Sequence, residues 1–248
     1  MSFVKQIFPN FDAAIATCGP AYHDADIADV IAYKTGIPVK QDDLTPEQAS
    51  NSILTVSLAA LETTGRPLTV LDFGGGCGFH YFRVVPVIQR TPLHWAIIET
   101  PTMADRARKL AHGRFEVFTE IDAAASALGQ IDLVHASSAL QYVADPIASL
   151  TKLAVLGARY FAVLRFPLWH GPTVVGVMSS ELIHNGWGPM PPDIENREVK
   201  YPVTFINIVD VERVLSDYRL LMAMESPSAN YDVQGHLARG VSMIFRRK

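Results

Sequence analysis

The 248-residue sequence has only two cysteines, and it lacks several features that mark specialised classes of protein. Cys18 and Cys77 match no metal-ligand spacing and no disulfide framework, which favours a reducing compartment. No stretch reaches the roughly 18 apolar residues that a membrane helix needs. The first residues lack a basic segment followed by an unbroken apolar run, so we expect no signal peptide. The sequence therefore predicts a cytoplasmic protein without a membrane span.

Basic residues are also not in excess, because 21 Lys and Arg stand against 25 Asp and Glu. The formal net charge of −4 argues against nucleic acid as the main partner, since duplex-binding proteins carry a basic footprint. Hydrophobic residues make up 49% of the chain and charged residues 19%, which is typical of a folded protein. The length suits one sizeable α/β domain with an appendage.

The first part of the chain, residues 1–66, is predicted to be a helical N-terminal extension or lid. Ile27, Val30 and Ile31 recur at helical spacing and predict a helix over residues 26–34. Thr45-Pro46-Glu47 predicts a helix start, with Thr as the N-cap and Pro at the first helical position. This helix is expected to end before Gly65.

From Leu68 onward, strand-like and helix-like segments alternate. Strands are predicted over residues 68–73, 94–99, 115–118, 131–135 and 159–166. Helices are predicted over residues 79–89, 101–112, 146–156 and 210–217. Further strands over 218–225 and 241–247 would form an antiparallel C-terminal pair. The alternation predicts an α/β fold over residues 67–248, with a doubly wound, mostly parallel, seven-stranded, Rossmann-like sheet. Residues 167–203, rich in Pro, Gly, His and Trp, are predicted to be a substrate-side insertion.

Two acidic residues and a glycine-rich loop follow the first two predicted strands of this sheet. The first strand ends in DFGGGCG, and the second ends in Glu99, whose carboxylate can accept both hydroxyls of a ribose. Ligands of open α/β sheets bind beyond the carboxyl ends of the strands. We therefore predict an adenosine-type pocket at this edge. Its candidate residues in the loop are Asp72, Gly74, Gly75, Gly76 and Gly78.

A nicotinamide-dependent oxidoreductase is the competing interpretation of a strand followed by a glycine loop. The dinucleotide fingerprint G-x-G-x-x-G would need glycine at position 79, where the chain has Phe79. Asp72 would also repel a pyrophosphate. S-adenosylmethionine (SAM) has no phosphate and carries two cationic groups, so an acidic residue suits it. The pattern D-x-G-x-G-x-G favours SAM.

The sequence resembles the class I SAM-dependent methyltransferases at VLDFGGGCG and at IDLVHASSALQYVADP. It is more specifically similar to a family of methyltransferases that accompany bacterial surface-polysaccharide biosynthesis genes. This likeness lies in GGGCGFHYF, HWAIIETPTM, SSALQYVADP, LRFPL and Tyr201-Pro202, and runs from about residue 22 to the C-terminus. The resemblance implies SAM as the cofactor and S-adenosylhomocysteine (SAH) as the product.

The resemblance also implies roles for individual residues around the cofactor. Asp72 and the glycines would line its methionine end, and Glu99 would hold its ribose. Adenine would lie beside Thr100 and Pro101, with Glu120, Ile121 and Asp122 along its edge. Ser137 and Ser138 would face the methyl group. Many small-molecule members have His where this chain has Gln141, so a base, if one is needed, must lie elsewhere.

Methylation of an oxygen acceptor usually needs a general base, and His is the side chain most often used. The candidates are His80, which directly follows the glycine loop, and His170, with His135 and His184 as further histidines. His135 lies inside a predicted strand, which favours a structural role. Substrate-binding candidates are Tyr81, Tyr142, Trp169, His184 and Trp187, each of which could instead be a packing or loop residue.

The sequence thus predicts metal-independent O- or N-methylation of a small-molecule or sugar-linked acceptor. Two alternatives stay open, a nicotinamide-dependent oxidoreductase and a SAM-binding protein without activity. The acceptor, the methylated atom and the oligomeric state, with a homodimer as one option, are not fixed by the sequence.

Overall fold

A computed structural model describes residues 2–4, 6–37 and 46–248 of the chain. Its strands are β1 (Ser2–Val4), β2 (Ile7–Phe8), β3 (Leu68–Phe73), β4 (Leu93–Ile98), β5 (Glu116–Phe118), β6 (Leu133–Ser137), β7 (Tyr160–Leu168), β8 (Val174–Glu181), β9 (Glu198–Phe205), β10 (Tyr218–Glu225), β11 (Tyr231–Val233) and β12 (His236–Arg247). Its α-helices are α1 (Phe11–Ile15), α2 (Ala25–Gly36), α3 (Pro46–Leu61), α4 (Phe79–Val84), α5 (Pro101–Ala111), α6 (Ile121–Leu128), α7 (Pro146–Ala154) and α8 (Ile208–Val214).

The main sheet confirms the predicted α/β fold class. Its strand order is β1-β11-β12-β7-β6-β3-β4-β5, and β10 pairs with β12 outside this path. The strands from β3 to β7 pair in parallel, whereas β12 runs antiparallel to both β7 and β10. The seven strands predicted from the sequence are therefore present, and the short strands β1 and β11 extend the sheet to nine.

Helices cover both faces of this sheet, as a parallel sheet requires. All six residues of β3 are buried, which explains its continuous apolar run at the centre of the sheet. Helices α6, α7 and α8 contribute to the hydrophobic core on one face. Helices α3, α4 and α5 contribute to the core on the other face. The ends of β3, β4, β6 and β7 are thereby held at one edge.

The region from residue 167 to 203 contains regular structure that the sequence did not predict. Strands β8 and β9 pair antiparallel, and β2 joins β8 to give a separate three-stranded sheet. The prolines, glycines and aromatic residues between them had suggested an irregular insertion. Residues 1–66 likewise contain β1 and β2 in addition to helices, because both strands pair with partners far away in the sequence. The division into an extension and a catalytic domain stays a prediction.

Two helix boundaries bear on the site. Helix α4 ends at Val84 and not at residue 89, because Pro86 cannot continue the backbone hydrogen bonding. Helix α3 begins at Pro46, and the predicted N-cap Thr45 lies outside the described residues.

Candidate active site

A cavity of about 610 Å³ lies at the carboxyl ends of the parallel strands. Gly74 after β3, Glu99 after β4, Ser137 in β6 and Arg165 in β7 all line it. This is the edge at which open α/β sheets bind their ligands. Its size is within the roughly 300–1,000 Å³ that small-molecule pockets occupy. The N-terminal segment and the second sheet supply the opposite walls.

The glycine loop presents bare backbone to the cavity through Gly74, Gly75 and Gly76. Gly74 has φ +69° and Gly76 φ +58°, which is the left-handed region that favours glycine. A Cβ atom on Gly74 would lie 2.3 Å from Cβ of Ala139, and one on Gly75 would lie 2.5 Å from Oδ2 of Asp72. Gly74 and Gly75 therefore have no room for a side chain, and a ligand can lie directly against the main chain of the loop.

Substituting Gly74 by alanine is expected to lower the free energy of unfolding by about 3 kcal/mol. The left-handed backbone contributes roughly 1–2 kcal/mol of this loss, and the clash with Ala139 adds about 1–3 kcal/mol. Gly113→Ala is the matched control, because Gly113 has φ +75° with no atom within 4 Å of its added Cβ. Urea unfolding should show the smaller loss for Gly113→Ala, and equal losses would contradict the steric explanation.

Glu99 faces the glycine loop and is fixed by two backbone N–H groups. Its Oε1 accepts a hydrogen bond from the amide of Gly76 at 2.8 Å, and its Oε2 accepts one from the amide of Thr100 at 3.0 Å. Burial raises the pKa of Glu99 to about 7, and these two hydrogen bonds oppose the shift. Each carboxylate oxygen keeps accepting capacity for a ligand in the cavity.

Asp72 lies beneath the glycine loop and is not among the residues of the cavity wall, so its place at the methionine end of a cofactor stays a prediction. The side chain is fully buried. Asp72 and His135 are paired in register across β3 and β6, so their side chains lie on the same face of the sheet. Oδ1 is 2.7 Å from Nδ1 of His135, while Oδ2 has no hydrogen-bond partner among the described residues.

The contact between Asp72 and His135 continues to the cavity through Ser52 of α3. The Ser52 Oγ lies 3.0 Å from Nε2 of His135 and 2.9 Å from Nδ1 of His80. We call this series of side-chain contacts, Asp72–His135–Ser52–His80, the buried relay. Three of its members are fully buried, and His80, with 7% of its surface exposed, lines the cavity.

The contacts of the buried relay are all satisfied when the Asp72 carboxylate is the acceptor at one end. In this arrangement His135 donates from Nδ1 and accepts at Nε2 from the Ser52 hydroxyl. The Ser52 oxygen then accepts from Nδ1–H of His80, which leaves a lone pair on Nε2 of His80. Within the described part of the chain, this Nε2 has no hydrogen-bond partner. Burial and the neighbouring His135 lower the pKa of His80 to about 3, so its ring is neutral near pH 7.

Four tyrosines form another part of the cavity wall, and we call them the tyrosine cluster: Tyr22, Tyr142, Tyr201 and Tyr231. The rings of Tyr22 and Tyr201 stack with centroids 4.6 Å apart. The hydroxyls of Tyr142 and Tyr231 are 2.8 Å apart. The second sheet and the N-terminal segment therefore meet β11 and the segment after β6 of the main sheet at this cluster.

Most residues predicted for the site do line the cavity. They are Gly74, Gly75, Gly76, His80, Glu99, Thr100, Glu120, Ser137, Tyr142, His184 and Trp187. Ser138 and Pro101 line it as well. The residues predicted for the site that lie outside the cavity wall are Asp72, Gly78, Tyr81, Ile121, Asp122, Trp169 and His170, with Asp122 in the first turn of α6.

Each residue outside the wall has a structural reason for its position. Gly78 precedes α4 as its N-cap, with φ +94°. Tyr81 packs edge-on against Trp95 in the core, and Ile121 packs against the core beneath α6. Trp169 donates its Nε1–H to the carbonyl of Pro172. His170 is exposed and lies outside the cavity wall, so its catalytic role stays a prediction.

Sequence reasoning missed several residues that line or support the cavity. Ser52 carried no signal, because a serine within a helix is normally solvated. His135 was interpreted as structural, although it contacts both Asp72 and Ser52. Arg165 carried a usable signal, because it is the one charged residue between Tyr160 and Leu168 in an otherwise apolar strand.

Among the described residues, no helix is long and apolar enough to cross a membrane. In the same ranges, no group of three His, Cys, Asp or Glu side chains is arranged to hold a metal ion.

No protein-family model matches the sequence, and no curated protein matches it. Solved structures do match. A SAM-dependent methyltransferase from Clostridium acetobutylicum superposes with a TM-score of 0.52 at 10% identity, over 84% of this chain and 94% of that one. An amino pentose methyltransferase from Micromonospora echinaspora, solved with SAM, superposes with a TM-score of 0.52 at 14% identity, over 88% of this chain and 95% of that one.

Magnesium protoporphyrin IX methyltransferase from Synechocystis, solved with SAH, also gives a TM-score of 0.52, at 13% identity over 89% of this chain and 94% of that one. Identities this low bear on the fold alone. With the strand order of the main sheet, they show that this chain has the fold of the class I SAM-dependent methyltransferases.

Proposed function

We propose that the protein transfers a methyl group from SAM to oxygen or nitrogen of a small-molecule or sugar-linked acceptor, without a metal ion. The observation that carries this proposal is the position of Glu99. Its carboxylate is held between the amides of Gly76 and Thr100 and faces the same cavity as the bare glycine loop. The same contact disfavours a dinucleotide, because a loop N–H that would bind pyrophosphate is bonded to a carboxylate.

The residues of the cavity fit the parts of SAM. The two oxygens of Glu99 would accept the ribose hydroxyls, and the backbone at Gly74–Gly76 would lie against the methionine part. Thr100 and Glu120 would flank adenine, and Ser137 would lie near the methyl group. SAM would supply a methyl group on a sulfonium with a good leaving group, so positioning accounts for much of the catalysis.

His80 is the proposed general base, and the buried relay lets it act despite its low pKa. Nε2 of His80 would take the proton of the acceptor hydroxyl or ammonium. Its Nδ1 proton would pass to Ser52, and the Ser52 proton would pass to Nε2 of His135. The positive charge then lies on His135, 2.7 Å from the carboxylate of Asp72, and His80 ends neutral. A charge placed there is stabilised more than one left on His80.

A sugar-linked acceptor has indirect support. One neighbour in fold is described as an amino pentose methyltransferase, and the sequence resembles methyltransferases that accompany surface-polysaccharide genes. Aromatic side chains commonly pack against sugar rings, and the tyrosine cluster offers such a surface. We infer an acceptor from this class, while the atom methylated is left to experiment.

Calorimetric titration of the purified protein with SAM and with SAH tests the cofactor. We expect both to bind with dissociation constants of about 1–100 µM, within the range usual for enzyme ligands. NADH fluorescence titration is the matched test of the oxidoreductase alternative, and no binding is expected. A folded protein that binds NADH but neither SAM nor SAH would contradict the proposal. Release of SAH in an acceptor screen would separate an enzyme from a SAM-binding protein without activity.

A further inference from the structure

The direction of the Arg165 side chain is set by a shift in register between β7 and β12. Val163 pairs with Met243 and Phe166 pairs with Val241, so Leu164 and Arg165 together lie opposite Ser242. Arg165 has φ +52°, a left-handed conformation that costs a long side chain free energy. A β-bulge of this kind redirects a side chain, and Arg165 lines the cavity.

A buried network of polar side chains holds the bulge in place. The Oγ of Ser242 accepts a hydrogen bond from the amide of Arg165 at 3.0 Å and another from Nδ2 of Asn51 at 3.0 Å. It also lies 2.7 Å from the Oγ of Ser226. Strained residues of this type persist when the surrounding structure over-determines them, often at ligand sites.

The guanidinium of Arg165 has no anionic partner in the described part of the chain. Other arginines pair with acids, as Arg66 does with Asp132 and Arg106 with Asp29. The Nε of Arg165 is buried without an acceptor. Among the described residues that line the cavity, it is also the single Arg or Lys. Arg165 is half-buried, and its buried Nε–H donor is left without an acceptor, so an anionic group of a ligand in the cavity would fit this position.

The neighbouring tyrosines cannot supply that anion. Burial, with the neighbouring tyrosines as the next cause, raises the pKa of Tyr22 and of Tyr231 well above the usual value, so both remain neutral phenols. Neutral phenols can donate hydrogen bonds to an anion beside Arg165. They also give the site an aromatic surface for the body of the ligand.

We propose that Arg165 binds a carboxylate or phosphate group of the acceptor, beside the tyrosine cluster. The proposal deepens the proposed function and rests on it for the assignment of the second ligand as an acceptor. The sheet order places β7 three strand spacings from β4, about 14 Å. Arg165 is therefore far from the ribose end at Glu99. The carboxylate of SAM is the alternative source of the anion, and it is tested separately.

The first test uses phenyl phosphate as the probe and phenol as its uncharged counterpart, both added to the SAH-loaded protein. Phosphorus NMR line broadening should give saturable binding of phenyl phosphate, and proton NMR should show much weaker binding of phenol. Arg165→Met should weaken phenyl phosphate binding by roughly 10- to 100-fold, the usual value of hydrogen bonds to a charged group. Arg165→Lys should retain part of the affinity. Arg90→Met, which removes an exposed arginine outside the cavity, should change nothing.

The second test compares SAM with decarboxylated SAM by calorimetry. We expect Arg165→Met and Arg165→Lys to change SAM affinity by less than about threefold, because the expected SAM contacts at Glu99 and the glycine loop are unchanged. A loss of SAM affinity in both variants, with no loss for decarboxylated SAM, would assign Arg165 to the cofactor and overturn the proposal. Equal phenyl phosphate binding by wild type and Arg165→Met, or none by wild type, would also overturn it. If wild type fails to bind SAH, the proposed function fails, and the same phenyl phosphate comparison on the ligand-free protein still tests Arg165.

Discussion

Lowering the pH from about 8 to about 6 is expected to weaken SAM binding by roughly tenfold through Glu99. The carboxylate of Glu99 has a pKa raised by burial to about 7. Ribose hydroxyls donate hydrogen bonds, so they bind the ionised form, and binding lowers this pKa further. Below about pH 7 the free protein must lose a proton before it binds. The affinity for SAM is therefore highest above this pH, where Glu99 is ionised, and it falls as the pH drops.

Calorimetry over this pH range, in buffers of different ionisation enthalpy, measures both the loss of affinity and the proton released on binding. Glu99→Gln should bind SAM about 10- to 100-fold more weakly and with no pH dependence in this window, because charged hydrogen bonds are lost. Glu120→Gln is the matched control, since Glu120 also lines the cavity. It should keep the wild-type pH dependence whatever its affinity. His80, with a pKa of about 3, does not titrate here. If SAM affinity of Glu99→Gln depended on pH as steeply as that of wild type, the pH dependence could not come from Glu99.

The fold was predictable because the strands and helices of its main sheet each have a short, local sequence pattern. The buried strand β3, the glycines after it and the Thr-Pro start of α5 each leave a short sequence signal. Boundaries were less accurate where a local signal was mixed, as at Pro86 in the segment after α4. The second sheet was missed because the prolines and glycines of residues 167–203 hide the pairing of β8 with β9, and because β2 has only two residues and pairs far along the chain.

The site was predictable only where its residues follow strands directly. Glu99 and the glycine loop come from adjacent strand ends, so the fold brings them together. The buried relay could not be predicted, because Ser52 is 28 residues from His80 and 83 residues from His135. Asp72 was assigned to the cavity from its motif, although register with His135 directs it beneath the loop.

Removing the imidazole of His80 is expected to lower the methyl-transfer rate by about 10²- to 10⁴-fold, the usual contribution of a general base. SAH affinity should change little, because the expected cofactor contacts lie at Glu99 and the glycine backbone. Ser52→Ala should also slow the reaction, since it breaks both contacts that join His80 to His135. Ser57→Ala on the same helix is the matched control, because Ser57 belongs to neither the buried relay nor the cavity wall. SAH release with an acceptor from the screen measures the rates.

Nitrogen-15 NMR of the imidazole rings tests the buried relay without any acceptor. Wild type should show His80 protonated at Nδ1 and His135 protonated at Nδ1, as the contacts to Ser52 and Asp72 require. Free histidine favours protonation at Nε2, so loss of the Ser52 hydroxyl should release His80 towards that tautomer. Ser57→Ala should leave both spectra unchanged. If Ser52→Ala keeps the wild-type tautomers, the serine does not orient His80, and the proton would have to leave the acceptor by another route.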